Sequence, residues 1–195
     1  MRKTSVQRKT IETDINLSLC LDGTGSHDIH TGIGFFDHML TLLSAHSFFD
    51  LSIKAKGDLH IDAHHCVEDV GICLGQAFRI SLGDCKGIYR YSSGLFPMDE
   101  ALAQVAVDIS NRPSLVFKHP MEKVKIGEFD TELCHEFLNA FVSHARITLH
   151  LHILYGDNHH HMVESCFKGL GRTLGQACKQ DPKRQNSIPS TKGVL

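Results

Sequence analysis

The chain has 195 residues, 42% of them apolar and 22% charged, enough to bury a core in one domain or in two small fused halves. With 20 basic and 22 acidic residues the formal net charge is -2, which argues against a general nucleic-acid or polyanion binder and makes any cationic site local. No apolar run reaches membrane-spanning length, the basic opening MRKTSVQRKTIETDI lacks the apolar stretch of a secretory signal, and the 7 cysteines include no Cys-x-x-Cys pair; a cytoplasmic protein with buried thiols is expected.

In chain order, KTIETDINLSLCLD reads as a strand ending at the hairpin signal DGTG, and SHDIHTGIG as a second strand. FFDHMLTLLSAHSF places Phe35, Met39, Leu42 and Leu43 at helical spacing, with Asp37 in the first turn. DLSIKAKGDLHI reads as a strand followed by a turn, and HHCVEDVGICLGQAFRISLG as a helix. The polar, Gly-rich stretch GDCKGIYRYSSGLFP reads as a junction. Beyond it come the strand AQVAVDIS, the turn NRP, the strand SLVFKHP, the helix DTELCHEFLNAFVSHA, the strand RITLHLHILYG and the helix HHHMVESCFKGLGRTLGQACKQ. The tail DPKRQNSIPSTKGVL reads as irregular. Each half, 1–92 and 93–195, is thus strand-rich first, then helix, strand, helix, an α+β pattern of antiparallel sheets covered by helices on one face.

Histidine is the outlier, with 15 copies and marked clustering. DAHHCVED at 62–69 and DNHHHMVES at 157–165 write nearly the same words twice. His38 in FFDHML precedes His64 by 26 residues, His135 in ELCHEFL precedes His160 by 25, and LGQA occurs at 74–77 and again at 174–177. Type, spacing and order repeat together, which identifies an internal duplication. The copies are not rigid, because Glu68 to Leu74 is six residues and Glu164 to Leu174 is ten.

On a helix, Glu68 lies about 40° around the axis from His64 and His65 about 100°, so the acid sits between the two imidazoles; the same holds for His160, His161 and Glu164. With His38 and His135 added, eight ligands divide into two sets of three His and one Glu. Imidazole and carboxylate without thiolate suit Mn, Fe, Co, Ni or Zn, and open positions favour a six-coordinate ion such as Mn(II). His27, His30, His60, His119 and His159 read as solvated side chains, and His150 and His152 as strand residues. His46 and His144 lie near matching helix ends.

GIGFFDHML, DAHHCVEDVG, PMDEALAQVAVDISNRP, GDNHHHMVESCFKGLGR and STKG together resemble the imidazoleglycerol-phosphate dehydratase family, over nearly the whole chain. The resemblance implies dehydration of D-erythro-imidazoleglycerol phosphate to imidazoleacetol phosphate in histidine biosynthesis, with no appended phosphatase domain. It implies two Mn(II) ions per active site, sites built between subunits of a 24-subunit homo-oligomer, and a duplicated fold of two four-stranded sheets with helices packed between them. Two cations gripping the imidazole ring would let it store electrons while a hydrogen leaves carbon; the resemblance adds a diazafulvene-like intermediate.

It also assigns roles. Glu12 matches the substrate-contacting acid and is the candidate general base; apart from the resemblance, a metal-bound hydroxyl or His46 is a candidate to share proton transfer. Glu68 and Glu164 join the catalytic set as metal ligands, and Asp99 reads either as orienting a ligand or the substrate or as a turn cap. Arg90, Arg112, Lys168, Ser190 and Lys192 match the phosphate-binding set. Repeat symmetry suggests His38, His65, Glu68 and His160 on one ion and His64, His135, His161 and Glu164 on the other, with Asp62, Asp69 and Asp157 as partners for imidazole N–H groups. The partners expected are a small phosphorylated imidazole and further copies of the chain, not nucleic acid or membrane. The competing class is a non-catalytic metal-binding or metal-assembled structural protein.

Overall fold

The structure, a computed structural model, describes residues 1–184 and 187–195. Gln185 and Asn186, in the tail expected to be irregular, lie outside the described residues. The first half runs β1 (Lys3–Lys9), β2 (Thr13–Cys20), β3 (His27–His30), α1 (Gly34–Ser47), β4 (Asp50–Gly57) and α2 (His64–Leu82). The second runs β5 (Tyr91–Met98), β6 (Ala101–Asp108), β7 (Ser114–Lys118), the short β8 (Lys125–Ile126) and β9 (Phe129–Asp130), α3 (Leu133–Ala145), β10 (Thr148–Tyr155) and α4 (His159–Cys178). The sheet orders correspond, β1-β2-β4-β3 and β5-β6-β10-β7, while β8 and β9 form a separate pair.

Three local expectations are corrected. The segment read as one opening strand is two, because the chain turns back at Thr10–Glu12 and β1 pairs antiparallel with β2. The DGTG signal closes no hairpin: β3 crosses over and pairs parallel with β4, as β7 does with β10, so the sheets are mixed rather than antiparallel. The supposed junction contains β5, whose Ser-Ser-Gly and Pro97 hide a strand; Pro97 is tolerated because β5 is a sheet edge.

Alternation along the strands decides which face meets the helices. Ile15, Leu17 and Leu19 of β2 and Ala103, Val105 and Val107 of β6 are all buried, while their neighbours face outward. Helices α1 and α2 pack on the first sheet, α3 and α4 on the second, and α1 meets α4 while α2 meets α3. The helices therefore lie between the two sheets. Phe137 centres this layer, 5.3 Å by ring centroid from Phe36 of α1 and 5.4 Å from Phe167 of α4. Among the described residues no helix is long and apolar enough to cross a membrane.

The repeated LGQA has a packing cause. A Cβ placed on Gly75 would lie 2.6 Å from Phe141 O in α3, and one on Gly175 would lie 2.5 Å from Ser47 O in α1. One turn earlier, Gly71 meets Phe137 O and Gly171 meets Leu43 O. Each half thus uses a Gly-x-x-x-Gly face to bring a helix against the backbone of its partner, which a larger side chain would prevent. The longer spacing in the second copy is an extra turn of α4 ahead of its glycines.

Candidate metal centre

Helix starts place the paired histidines. Asn158 caps α4, its Oδ1 accepting the His160 backbone N–H at 2.9 Å, and Asp62 Oδ1 accepts the His64 backbone N–H at 2.8 Å. Matched Asx residues two positions before each His pair thus set where the helix begins and which face the pair shows. Because α1 runs alongside α4, His38 then meets His160 and Glu164. One ligand atom from each of these three side chains lies within 4.8 Å of the others.

Glu164 Oε2 is 3.1 Å from His160 Nε2 and 3.5 Å from His38 Nε2. Lys168 Nζ lies 2.5 Å from the other oxygen, Oε1. Burial works to neutralise Glu164, but the Lys168 ammonium and then His38 outweigh it and hold the carboxyl below its ordinary range. Phe35 meets the His160 ring edge-on at 5.0 Å and limits its tilt. Two imidazole nitrogens and a fixed carboxylate, without thiolate, are a donor set that fits a divalent first-row cation.

Within one chain Glu164 stands with His38 and His160, a grouping that cuts across the division suggested by repeat symmetry. The helix angles of a single His-His-x-x-Glu motif are the same in both copies and do not say which neighbour helix completes the set; the α1–α4 pairing does. The remaining ligand candidates form no second group of three among the described residues. His135 is exposed and lies 3.5 Å from Glu136, while Glu68 is half-buried on α2. His64 lies beside His65 with ring centroids 6.1 Å apart.

His65 and His161 are each held by an acid that sequence reasoning missed. Asp58 Oδ2 is 3.0 Å from His65 Nδ1, and Glu100 Oε2 is 2.7 Å from His161 Nδ1. The hydrogen bond to Asp58 raises the His65 pKa, and the one to Glu100 raises that of His161. Glu100 also accepts the backbone N–H groups of Asn158 and Asp157, and the His161 contact leads in pushing its carboxyl down to about 2. The expected partners do other work: Asp62 binds backbone, Asp69 accepts from Arg8 Nε and Thr13 Oγ1, and Asp157 gives its N–H to Glu100. Asp99, at the same hairpin tip as Glu100, stands 3.9 Å from His161 Nε2. Glu100 holds the same place in its hairpin that Glu12 holds in the first, a match that shows only once β5 is recognised as a strand.

Glu12 sits on the β1–β2 turn, about half exposed, with Oε1 3.9 Å from His65 Nε2. His46 lies in the last turn of α1, where burial first, then Lys168 and Arg172, lower its pKa. Lys168 is the one member of the expected phosphate set at the His38–His160–Glu164 cluster. Arg90 is buried and committed, its Nε 2.7 Å from Asp108 Oδ1 and its guanidinium donating to Pro189 O. Arg112, largely exposed, reaches the same Asp108 at 3.8 Å, and Ser190 Oγ accepts the Lys192 backbone N–H at 3.2 Å. Arg90, Arg112 and the 189–192 segment therefore gather at the far end of the second sheet from Glu100 and His161.

Fold and site together define a class: a duplicated α+β protein with a histidine–carboxylate cluster where two parallel helices begin. The sequence profile of imidazoleglycerol-phosphate dehydratase matches residues 31–174. The imidazoleglycerol-phosphate dehydratase of Azorhizobium caulinodans is 58% identical over 195 residues, covering 100% of this chain and 99% of its own, and that of Methylobacterium radiotolerans is 57% identical over 100% of both. The crystal structure of the Staphylococcus aureus enzyme superposes with a TM-score of 0.84 at 42% identity, covering 92% of this chain and 99% of that one. The Pyrococcus furiosus structure gives 0.83 at 37% identity, over 97% and 100%. The chain belongs to the imidazoleglycerol-phosphate dehydratase family, the hydro-lyases of histidine biosynthesis.

Proposed function

We propose that this chain dehydrates D-erythro-imidazoleglycerol phosphate to imidazoleacetol phosphate at a site holding divalent cations, Mn(II) foremost, and completed by a second copy of the chain. The observation that carries the metal part is the convergence of His38, His160 and Glu164. Bound there, a cation supplies Lewis-acid stabilisation of the substrate ring and fixes its orientation.

The chain's own residues supply the rest. Lys168 pairs with one oxygen of Glu164 and leaves the other turned to His38 and His160. Glu12 is placed on a turn, exposed, and within reach of the groups around His65, where it exchanges a proton with the substrate carbon chain. His46 lies two helical turns beyond His38 and is biased toward its neutral form, suited to accepting a proton. Arg112, Lys192 and Ser190 offer cations and a hydroxyl to the phosphate, with Arg90 as the buried brace beneath them.

Distance supports the part played by a second copy. Arg90 N donates to Ala177 O near the end of α4, whereas Glu164 lies in its first turns. At 1.5 Å per residue these points are about 20 Å apart. A three-carbon chain between ring and phosphate cannot span that, so the cluster of one copy pairs with the phosphate groups of another; a homo-oligomer of 24 subunits is the assembly the family resemblance suggests. The seven cysteines are buried thiols, which fits the reducing cytoplasm.

Chelation tests the metal reading. Protein stripped with EDTA loses turnover and Mn(II) restores it; full turnover by the stripped protein would overturn it.

A further inference from the structure

Glu12 and Glu100 occupy equivalent places in the two halves. Each immediately precedes the first buried residue of the second hairpin strand, Thr13 in β2 and Ala101 in β6. Each also stands beside the second histidine of its half. Only Glu100 holds that histidine, 2.7 Å from His161 Nδ1; Glu12 remains 3.9 Å from His65, on the opposite ring nitrogen, Nε2. In the first half the holding is done by Asp58, which follows β4 and lies 3.0 Å from His65 Nδ1. The corresponding stretch after β10 is Gly156–Asp157, and there Asp157 contributes a backbone N–H to Glu100 instead.

The two halves therefore solve one problem with different acids. A carboxylate on Nδ1 fixes that nitrogen as the N–H, so Nε2 is presented as a lone pair in a set direction. Asp58 does this at a cost: its Oδ1 is buried with no hydrogen-bond partner, which local stability does not explain.

We propose that Glu100 and Asp58 are the positioning carboxylates of His161 and His65, and that Asp58, by taking this role in the first half, leaves Glu12 free to work on substrate. The proposal rests on the reading of His65 and His161 as metal ligands. A carboxylate bound to an imidazole N–H is a poor proton acceptor for anything else. Duplication alone would have left a Glu-held histidine in both halves, with Glu12 engaged on His65 as Glu100 is on His161.

The test titrates metal-free protein with Mn(II), reads free Mn(II) by electron paramagnetic resonance, and measures kcat along the same titration for wild type, E100A, E100Q, D58A, D58N and H161A. E100A and D58A are expected to bind Mn(II) about 10–100-fold more weakly. E100Q and D58N lose less, because an amide oxygen still accepts from Nδ1–H and the loops keep their shape. Raising Mn(II) removes the E100A deficit in kcat, while D58A keeps one, because Glu12 is drawn to His65. Mn(II) binding unchanged in E100A and D58A but lost in H161A overturns the positioning role. Unchanged binding in H161A overturns the ligand reading beneath it. Equal recovery of kcat in E100A and D58A overturns the exchange of roles.

Discussion

Glu164 stays charged where burial favours the neutral acid, because Lys168 at 2.5 Å and His38 at 3.5 Å oppose that penalty. Glu12 differs from it in exposure, standing about half exposed on the β1–β2 turn. The E12Q change keeps shape and removes the proton acceptor, so turnover is expected to fall about 10²–10⁴-fold with Mn(II) binding unchanged; near-normal kcat in E12Q would remove Glu12 as the base. Asp50 gives a residue-scale prediction away from the site. Its Oδ1 accepts the backbone N–H groups of Thr24 at 2.8 Å, Gly25 at 3.1 Å and Ser26 at 3.0 Å, and the Thr24 bond leads in depressing its pKa below the usual 3.8. A depressed carboxyl contributes stability that is complete above the unfolded-state value and is lost as pH falls through the folded one. D50N should therefore be less stable than wild type in urea at pH 6, and the gap should close below pH 3.8; a gap independent of pH would mean the charge contributes nothing.

At the scale of elements, α1–α4 contact assembles the cluster and glycine sets its distance. G175A puts a Cβ 2.5 Å from Ser47 O, which cannot move without unseating the end of α1. The expected cost is about 1–3 kcal/mol of stability, read from denaturant midpoints. Mn(II) affinity should fall with it, as His38 is carried away from Glu164; stability unchanged in G175A would show that the helices have slack. Element identity was largely legible in the sequence, because apolar residues at helical spacing and alternating strand patterns leave few alternatives. Helix partners were not. Both His-His-x-x-Glu copies look alike along their own axes, and only the pairing of α1 with α4 assigns Glu164 to His38. β5 was missed because Ser-Ser-Gly and Pro97 read as a linker, and the β3 crossover because DGTG is an ordinary hairpin signal. Asp58 and Glu100 were missed because a holding acid is recognisable only once the loop after β4 and the β5–β6 tip are seen beside an imidazole.

For the whole molecule, the duplication places the His38–His160–Glu164 cluster near one end of α4 and the Arg90–Arg112 group near the other. On the proposed function, one chain carries two parts of a site that it cannot join, and copies exchange them. The separation makes a prediction that a self-contained active site does not. E164Q should lack the metal cluster and R112A the phosphate grip, so each protein alone should be nearly inactive towards imidazoleglycerol phosphate in Mn(II). Co-expressed in one cell and purified together, they are predicted to regain turnover to the keto product, because mixed assemblies contain pairings in which both parts are intact. A co-assembled mixture as inactive as either parent would contradict the account.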